Sequence, residues 1–185
     1  GGTPGEEKQM EISGSRRIAA PREQVWGALT SAEVLKSCVS GCEEMTGGPE
    51  KGFEAVVKQK IGPVSARFRG SIRLTNVVPG ESYTITGRGK SRAAGIARGV
   101  ADIRLSDVEG GTQLDYAVKA DVGRKLAKLG RRLIDGLVVR MADSFFDGLQ
   151  LAVEGPIEPA APADVTEESD KKPGWFGRLM GKQKA

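Results

Sequence analysis

Residues 64–76 read V-S-A-R-F-R-G-S-I-R-L-T-N, and this alternation of residue types decides the fold class. Every second residue is apolar or small, and the residues between them are polar. Successive side chains of a β-strand point to opposite faces, so the pattern predicts a strand with one buried face and one basic, solvated face. Such one-sided burial is typical of antiparallel sheets. The inward set comprises Val64, Ala66, Phe68, Gly70, Ile72 and Leu74.

Segments on both sides carry the same period of two. Residues 10–18 read as a first strand, and residues 112–122 as a last one. Further strands are indicated at 53–61, 83–89 and 100–105. Turn signals rich in Gly and Pro separate these segments, at 47–49, 62–63, 79–80 and 110–111. We therefore predict a curved antiparallel sheet of six or seven strands in succession.

Helical patterns precede and follow the strands. A short helix is predicted after Pro21, and a second one over residues 34–38 that ends at Gly41, because glycine readily adopts the positive φ of a helix end. One long helix is predicted from about residue 124 to residue 153. The order of elements is the α+β helix-grip arrangement. The apolar stripe of the long helix comprises Leu126, Leu129, Leu133, Ile134, Leu137, Val138, Met141 and Phe145.

Small residues lie near the centre of that stripe. Gly130 and Gly148 project close to it, with Ser144 beside them, although glycine inside a helix costs about 0.8–1 kcal/mol relative to alanine. Two interpretations are open: the glycines let a strand approach closely, or they leave room for a ligand. On the second interpretation, the ligand-binding residues are Phe68, Ile72, Tyr116, Leu126, Gly130, Leu133, Leu137, Met141, Ser144 and Phe145.

The composition argues against several kinds of site. The 185 residues include no histidine, which removes the commonest general base near neutral pH and the commonest metal ligand. Cys38 and Cys42 alone do not complete a zinc site, so we expect no metal. No inward-facing acid/base pair is apparent, and we expect no catalytic residue. The net charge of +4 mixes 28 basic with 24 acidic residues and only 5% aromatics, so nucleic acid is not an expected partner.

Four stretches differ in character. Residues 1–9 are expected to be a disordered lead, 10–154 the folded domain, and 155–170 a disordered linker rich in Pro, Ala and acid. Residues 171–185 combine an aromatic pair with five basic residues and no acid, which favours a membrane-binding tail over a merely disordered one. Without a secretion signal, the protein is expected in the cytoplasm, at the inner face of the cell membrane. The predicted membrane-binding residues are Lys171, Lys172, Trp175, Phe176, Arg178, Leu179, Met180 and Lys182.

Several motifs resemble, in order, the CoxG-type family of carbon-monoxide-dehydrogenase proteins, within the START-like, or SRPBCC, superfamily. They include V-L-K-S-C-V-S-G-C (34–42), A-A-G-I-A-R-G-V-A-D-I-R-L (93–105) and G-R-K-L-A-K-L-G-R-R-L-I-D-G (123–136). The resemblance covers roughly residues 10–152. The family usually has Asp-Pro after its first helix, where this chain has Ser31-Ala32.

The resemblance implies a non-enzymatic carrier with an apolar cavity between the sheet and the long helix. Its expected ligand is an isoprenoid quinone such as menaquinone, or another lipid. Its expected partner is a molybdenum hydroxylase of the carbon-monoxide-dehydrogenase type, which it would couple to the membrane and its quinone pool. Two alternatives stay open: an assembly or recruitment factor that docks through its basic face, and an enzyme acting in the cavity. The basic face comprises Arg67, Arg69, Arg73, Arg88 and Arg104, and a merely solvated surface is its other interpretation.

Overall fold

Seven antiparallel strands form one sheet in the order β1-β7-β6-β5-β4-β3-β2. The computed structural model describes residues 8–155, with the side chains described from Met10 onward. The predicted linker after Gly155 and the predicted tail lie outside the described residues. The elements are β1 (Lys8–Ile18), α1 (Arg22–Leu29), α2 (Ala32–Cys38), β2 (Cys42–Gly48), β3 (Gly52–Ile61), β4 (Val64–Val78), β5 (Ser82–Ser91), β6 (Gly95–Val108), β7 (Gly111–Val122), α3 (Arg124–Ala127) and α4 (Arg131–Glu154).

The helix-grip prediction is confirmed, with two short helices after the first strand and a C-terminal helix against the sheet. The inward residues of β4 are less exposed than their neighbours along most of the strand, as the alternation predicts. β2 is indicated only by the strand count, because its sequence C-E-E-M-T-G-G carries little alternation. β1 pairs with β7, so the two ends of the strand sequence meet.

The short helices begin and end where the sequence predicts. Pro21 immediately precedes α1. Ser31 caps α2, because its side-chain oxygen accepts a hydrogen bond from the amide of Val34, so the departure from the family's usual Asp-Pro keeps a capping residue. Gly41 then adopts a φ of +82°, which ends this segment as predicted. A Cβ there would lie against the carbonyl oxygen of Lys58, so only glycine fits.

The prediction of one continuous helix over residues 124–153 is wrong. The short helix α3 ends at Ala127, and α4 begins at Arg131. Gly130 lies between them with a φ of +99°, a conformation that breaks a helix and that glycine adopts readily. Gly130 is therefore not a helix-interior residue. Its signal was present in the sequence as a glycine followed by two arginines and a new apolar repeat.

Gly148 is inside α4, and its role is close packing. A Cβ on Gly148 would lie 3.1 Å from the Cα of Cys38, so the missing side chain lets α2 approach α4. This is the close-approach interpretation, with a helix rather than a strand as the neighbour. The stripe of α4 also extends further than predicted, since Phe146, Leu149 and Val153 are buried while Leu133 is 36% exposed.

The C-terminal half of α4 is fastened to its neighbours by polar contacts. The Arg16 guanidinium on β1 donates to Asp147 and to Gln150, each at 2.9 Å, and lies 5.8 Å from the centre of the Phe146 ring. The Glu154 carboxylate accepts a hydrogen bond of 2.8 Å from the amide of Ala19. Asp143 and Asp147, which the sequence places on an outer helical face, therefore bind the edge of the sheet.

Candidate functional site

The buried core of the domain is divided into three clusters. The first packs α1 and the end of α4 on the sheet, around Leu29 and Leu149. The second lies at the other end of the sheet, around Leu126 and Ile134. The third packs α2 on β2 and β3 and consists of Leu35, Met45, Phe53 and Ala55. The core is therefore closed at both ends of the sheet and beside β2.

Between the first two clusters, the sheet and α4 are not tightly closed against each other. Ile12, Ala101 and Val118 lie side by side on the inward face of β1, β6 and β7, yet each is only half-buried. Met141 on α4 is half-buried too. None of these four residues belongs to any of the three clusters. Side chains of an inward face remain accessible when solvent-sized space lies beside them, so we refer to this region as the central space.

The path of α4 explains why the space remains. Its main contacts with the sheet are to β1 on one side and β3 on the other. The four strands between β1 and β3 in the sheet, β7, β6, β5 and β4, thus lie beneath the helix rather than against it. A curved sheet and a helix resting on its two sides enclose a space between them.

Small residues deepen the floor of the central space. Gly99 on β6 has Ala97 and Ala101 as its neighbours on the inward face, and it pairs with Ala120 on β7 and Gly87 on β5. A Cβ on Gly99 would meet only the carbonyl oxygen of Lys119, at 3.6 Å, which is an ordinary contact. The backbone therefore does not require glycine at this position, and the missing side chain leaves volume above the sheet.

The half-buried residues around this floor are largely apolar. Phe68 and Leu137 border it from the second cluster, and Ile72 and Phe145 from the third. Ser144 contributes a half-buried hydroxyl. The guanidinium of Arg16, also on the inward face of β1, is held by its carboxylate partners on α4. The arrangement suits an uncharged, apolar molecule, because an unpaired ionised group would lose hydration there.

The structure separates the ten predicted ligand-binding residues into two groups. Six are half-buried: Phe68, Ile72, Leu137, Met141, Ser144 and Phe145. Four occupy other surroundings. Leu126 is fully buried in the second cluster, and Tyr116 stacks on Phe146 at 4.4 Å and crosses Gly14. Leu133 lies at the surface beside Gly62, and Gly130 lies in the break before α4, where a Cβ would meet nothing within 4 Å.

Sequence reasoning missed the floor of the central space. Residues 95–101 read G-I-A-R-G-V-A, and their small residues alternate with larger ones, which is the signal that could have revealed a strand with an empty inward face. The predicted strand began only at residue 100, whereas β6 begins at Gly95. Ile12, Gly99 and Ala101 were therefore not among the predicted site residues.

The cysteines do not form an activated nucleophile. Burial raises the pKa of the Cys38 thiol above its ordinary value, and burial has the same effect on the pKa of Cys42. A raised pKa keeps a thiol protonated and weakens it both as nucleophile and as metal ligand. No group of three or more Cys, Asp or Glu side chains that could hold a metal ion occurs within residues 8–155.

Tyr83 and Asp135 are two further polar side chains at buried positions. Burial raises the pKa of Tyr83, whose hydroxyl donates to the carbonyl oxygen of Leu29 at 3.4 Å. Asp135, which the sequence placed on an outer face, has one carboxylate oxygen that is buried without a partner in the described part of the chain. Its other oxygen accepts a hydrogen bond from Arg131 at 3.3 Å. Neither residue lies in an arrangement that indicates acid/base catalysis.

Two polar recesses lie on the outer face of the sheet, away from the central space. One has a volume of about 420 Å³ and combines Arg69, Arg88 and Lys90 with Glu44 and Glu54. The other has a volume of about 350 Å³ and includes Asp102, Arg104 and Asp115 in its lining. Both are open and carry charges of both signs, so neither suits a hydrophobic ligand. In the described part of the chain, no helix has the length and apolar character needed to cross a membrane.

Comparison with protein families gives one match. Residues 14–154 match the carbon monoxide dehydrogenase CoxG family. This range begins within β1 and ends with α4, so it includes nearly all of the residues around the central space. No curated protein matches the sequence.

Solved structures with the same fold come from several bacteria. A conserved protein from Geobacillus kaustophilus is 25% identical, with a TM-score of 0.72 over 78% of this chain and 95% of its own. The Zhui aromatase/cyclase from Streptomyces sp. R1128 is 13% identical, with a TM-score of 0.59 over 84% of this chain and 100% of its own. A protein from Rhizobium leguminosarum is 14% identical, with a TM-score of 0.60 over 80% of this chain and 96% of its own. The last two likenesses show the fold alone.

Proposed function

Because the chain belongs to the carbon monoxide dehydrogenase CoxG family, we propose that it carries a hydrophobic molecule in the central space. The ligand is an isoprenoid quinone such as menaquinone, or another lipid. The protein couples a molybdenum hydroxylase of the carbon-monoxide-dehydrogenase type to the membrane and its quinone pool. The family description supports this choice of partner enzyme.

One observation carries the proposal: the middle of the domain is half-open although both of its ends are sealed. Ile134 and Leu149 on α4 are fully buried, whereas Met141 between them is not. A domain without a ligand to hold gains stability by closing such a gap, because each buried methylene contributes about 0.8 kcal/mol. The glycine and alanine floor keeps the gap open instead.

The surroundings of the central space favour carriage over catalysis. Its half-buried residues supply apolar contacts and one serine hydroxyl, and the chain contains no histidine. Chemical conversion of a bound molecule requires a group that takes up or releases a proton near neutral pH, or a cofactor that does the chemistry. Binding and release of an apolar molecule require neither.

Extraction of the purified protein with organic solvent, followed by mass spectrometry, tests the proposal. We expect a quinone or lipid in a fixed molar ratio to the protein, and loss of that signal from a Ser144→Leu variant that remains folded. Ser37→Leu, at an exposed position of α2, is the matched control. Wild-type protein that yields no apolar molecule, and that takes none up when mixed with menaquinone, would refute carriage.

The tail is proposed to provide the membrane contact. Residues 171–185 combine Trp175 and Phe176 with five basic residues. Basic residues add about 1 kcal/mol each at an anionic surface, and the apolar side chains make part of the binding resistant to salt. Deletion of residues 171–185 is expected to remove the salt-resistant sedimentation with anionic vesicles and to leave ligand binding intact. Equal salt-resistant sedimentation of both proteins would contradict the role of the tail.

A further inference from the structure

The domain has one end that is rich in basic residues. Three connections meet there, namely the β3–β4 turn, the β5–β6 turn and the segment from β7 to α4. Contacts between them are direct: Lys125 donates to the carbonyl oxygen of Arg92 at 3.1 Å, and Leu133 lies against Gly62. We refer to this surface as the basic end, and its exposed basic residues are Lys60, Arg92, Lys125, Lys128, Arg131 and Arg132.

Acidic residues are scarce in the segments that build the basic end. Residues 55–80, 82–101 and 122–134 contain no Asp or Glu. Asp121 and Asp135, which border these segments, each face an arginine: Asp121 lies 3.8 Å from Arg98, and Asp135 lies 3.3 Å from Arg131. The turns at the opposite end of the sheet instead carry Glu50, Glu81, Asp107 and Glu109. The charge of the domain is therefore distributed along the strand direction.

Apolar side chains lie among these cations. Leu133 is 36% exposed at the start of α4, and Leu129 is half-buried in the break before it. An exposed alanine, Ala93, occupies the β5–β6 turn. Mixed basic and apolar groups without acids match a lipid surface, where headgroups take the cations and the upper acyl region takes the apolar groups. A protein partner of acidic character would account for the cations but not for the exposed leucine.

We propose that the basic end is a second membrane contact, which binds anionic lipid headgroups independently of the tail. It orients the domain so that the start of α4, beside the central space, faces the bilayer. The length of the chain permits both contacts at once. α4 has 24 residues and is about 36 Å long, and Gly155 follows at the far end from Arg131. The sixteen residues 155–170 reach on the order of 50 Å when extended, which exceeds that length.

Vesicle co-sedimentation of the full-length chain tests the proposal, with phosphatidylcholine vesicles containing phosphatidylserine. Lys128→Ala and Arg132→Ala each remove one charge from the basic end. Each is expected to weaken binding about five-fold, and the pair about 25-fold, at low salt. The matched control is Lys36→Ala with Arg104→Ala, two exposed basic residues outside the basic end, with an expected change of less than about two-fold. Surface substitutions of this kind leave the fold intact, which circular dichroism verifies.

The same variants in a chain that also carries Trp175→Ala and Phe176→Ala separate the two contacts. If the basic end binds lipid, this tail variant keeps a weak, salt-sensitive affinity that Lys128→Ala with Arg132→Ala removes. If the tail proposal fails, the tail variant binds like the wild type, and the loss from the basic-end variants still supports this inference. Wild-type vesicle binding by the basic-end variants in both backgrounds, or an equal loss in the control pair, would overturn it. Retention of vesicle binding together with lost binding to a purified acidic partner protein would also overturn it.

Discussion

Gly99→Leu tests directly whether the central space is empty. The residue has an ordinary backbone conformation, and its inward neighbours are Ala97, Ala101, Ala120 and Gly87. Leucine adds four carbons, which at about 0.8 kcal/mol each would stabilise the ligand-free domain by up to about 3 kcal/mol if they fill unoccupied volume. If the layers were already in contact, overpacking would instead destabilise the domain by about 1–3 kcal/mol. The two cases differ in the sign of the change.

Thermal unfolding of the delipidated protein measures that sign. For a domain of this size, about 2–4 °C accompanies each kcal/mol, so we expect the melting temperature to rise by about 5–10 °C. Binding of menaquinone, and of the apolar dye 1-anilinonaphthalene-8-sulfonate, should fall at the same time. Thr86→Leu places the same side chain on the exposed outer face of β5 and should leave ligand binding unchanged. A destabilised Gly99→Leu variant with wild-type ligand binding would refute the central space as the site.

Three further predictions concern the packing of α4 and the buried thiol. Gly148→Val should destabilise the domain by about 1–3 kcal/mol, because its Cβ would press on α2, whereas Gly136→Ala, beside only the flexible end of Arg140, should stabilise it by about 0.8–1 kcal/mol; urea unfolding of both variants checks this contrast. Arg16→Ala should cost about 1–2 kcal/mol through lost packing on Phe146 and lost pairing with Asp147, and an unchanged midpoint in urea would contradict the fastening of α4. Because the pKa of Cys38 is higher in the folded than in the unfolded chain, stability should fall as the pH rises through the ordinary thiol range, and Cys38→Ala should reduce that fall in melting curves taken at about pH 7 and about pH 9.5.

The strands and short helices were predictable because local patterns determine them. The alternation in residues 64–76 reappears as the burial pattern of β4, and Gly41 ends the α2 segment as its lack of a side chain allows. The break at Gly130 was not predicted, since the apolar repeat continues in phase from Leu126 to Leu137 and hides the interruption. The stripe alone does not reveal that a glycine adopts a positive φ.

The floor of the candidate site depends on neighbours that are distant in the sequence. Gly99 is a minor feature in its own strand, and it matters only because Ala120 and Gly87 pair with it from β7 and β5. Tyr116 shows the opposite error: its inward orientation was correct, but the bare Gly14 beside it lets the ring lie across β1 and stack on Phe146. Pairing and stacking of this kind are decided by register, which a single sequence specifies only indirectly.

The unfilled middle of the domain links occupancy to folding. A molecule in the central space supplies contacts that side chains of an ordinary core would provide, so the loaded domain is the thermodynamically completed one. At a ligand concentration about one hundred times the dissociation constant, the linkage adds about 2.7 kcal/mol to stability. Transfer of the cargo to an acceptor withdraws that contribution and leaves a domain that opens more readily to solvent. Proteolytic susceptibility would then report whether the carrier is full or empty.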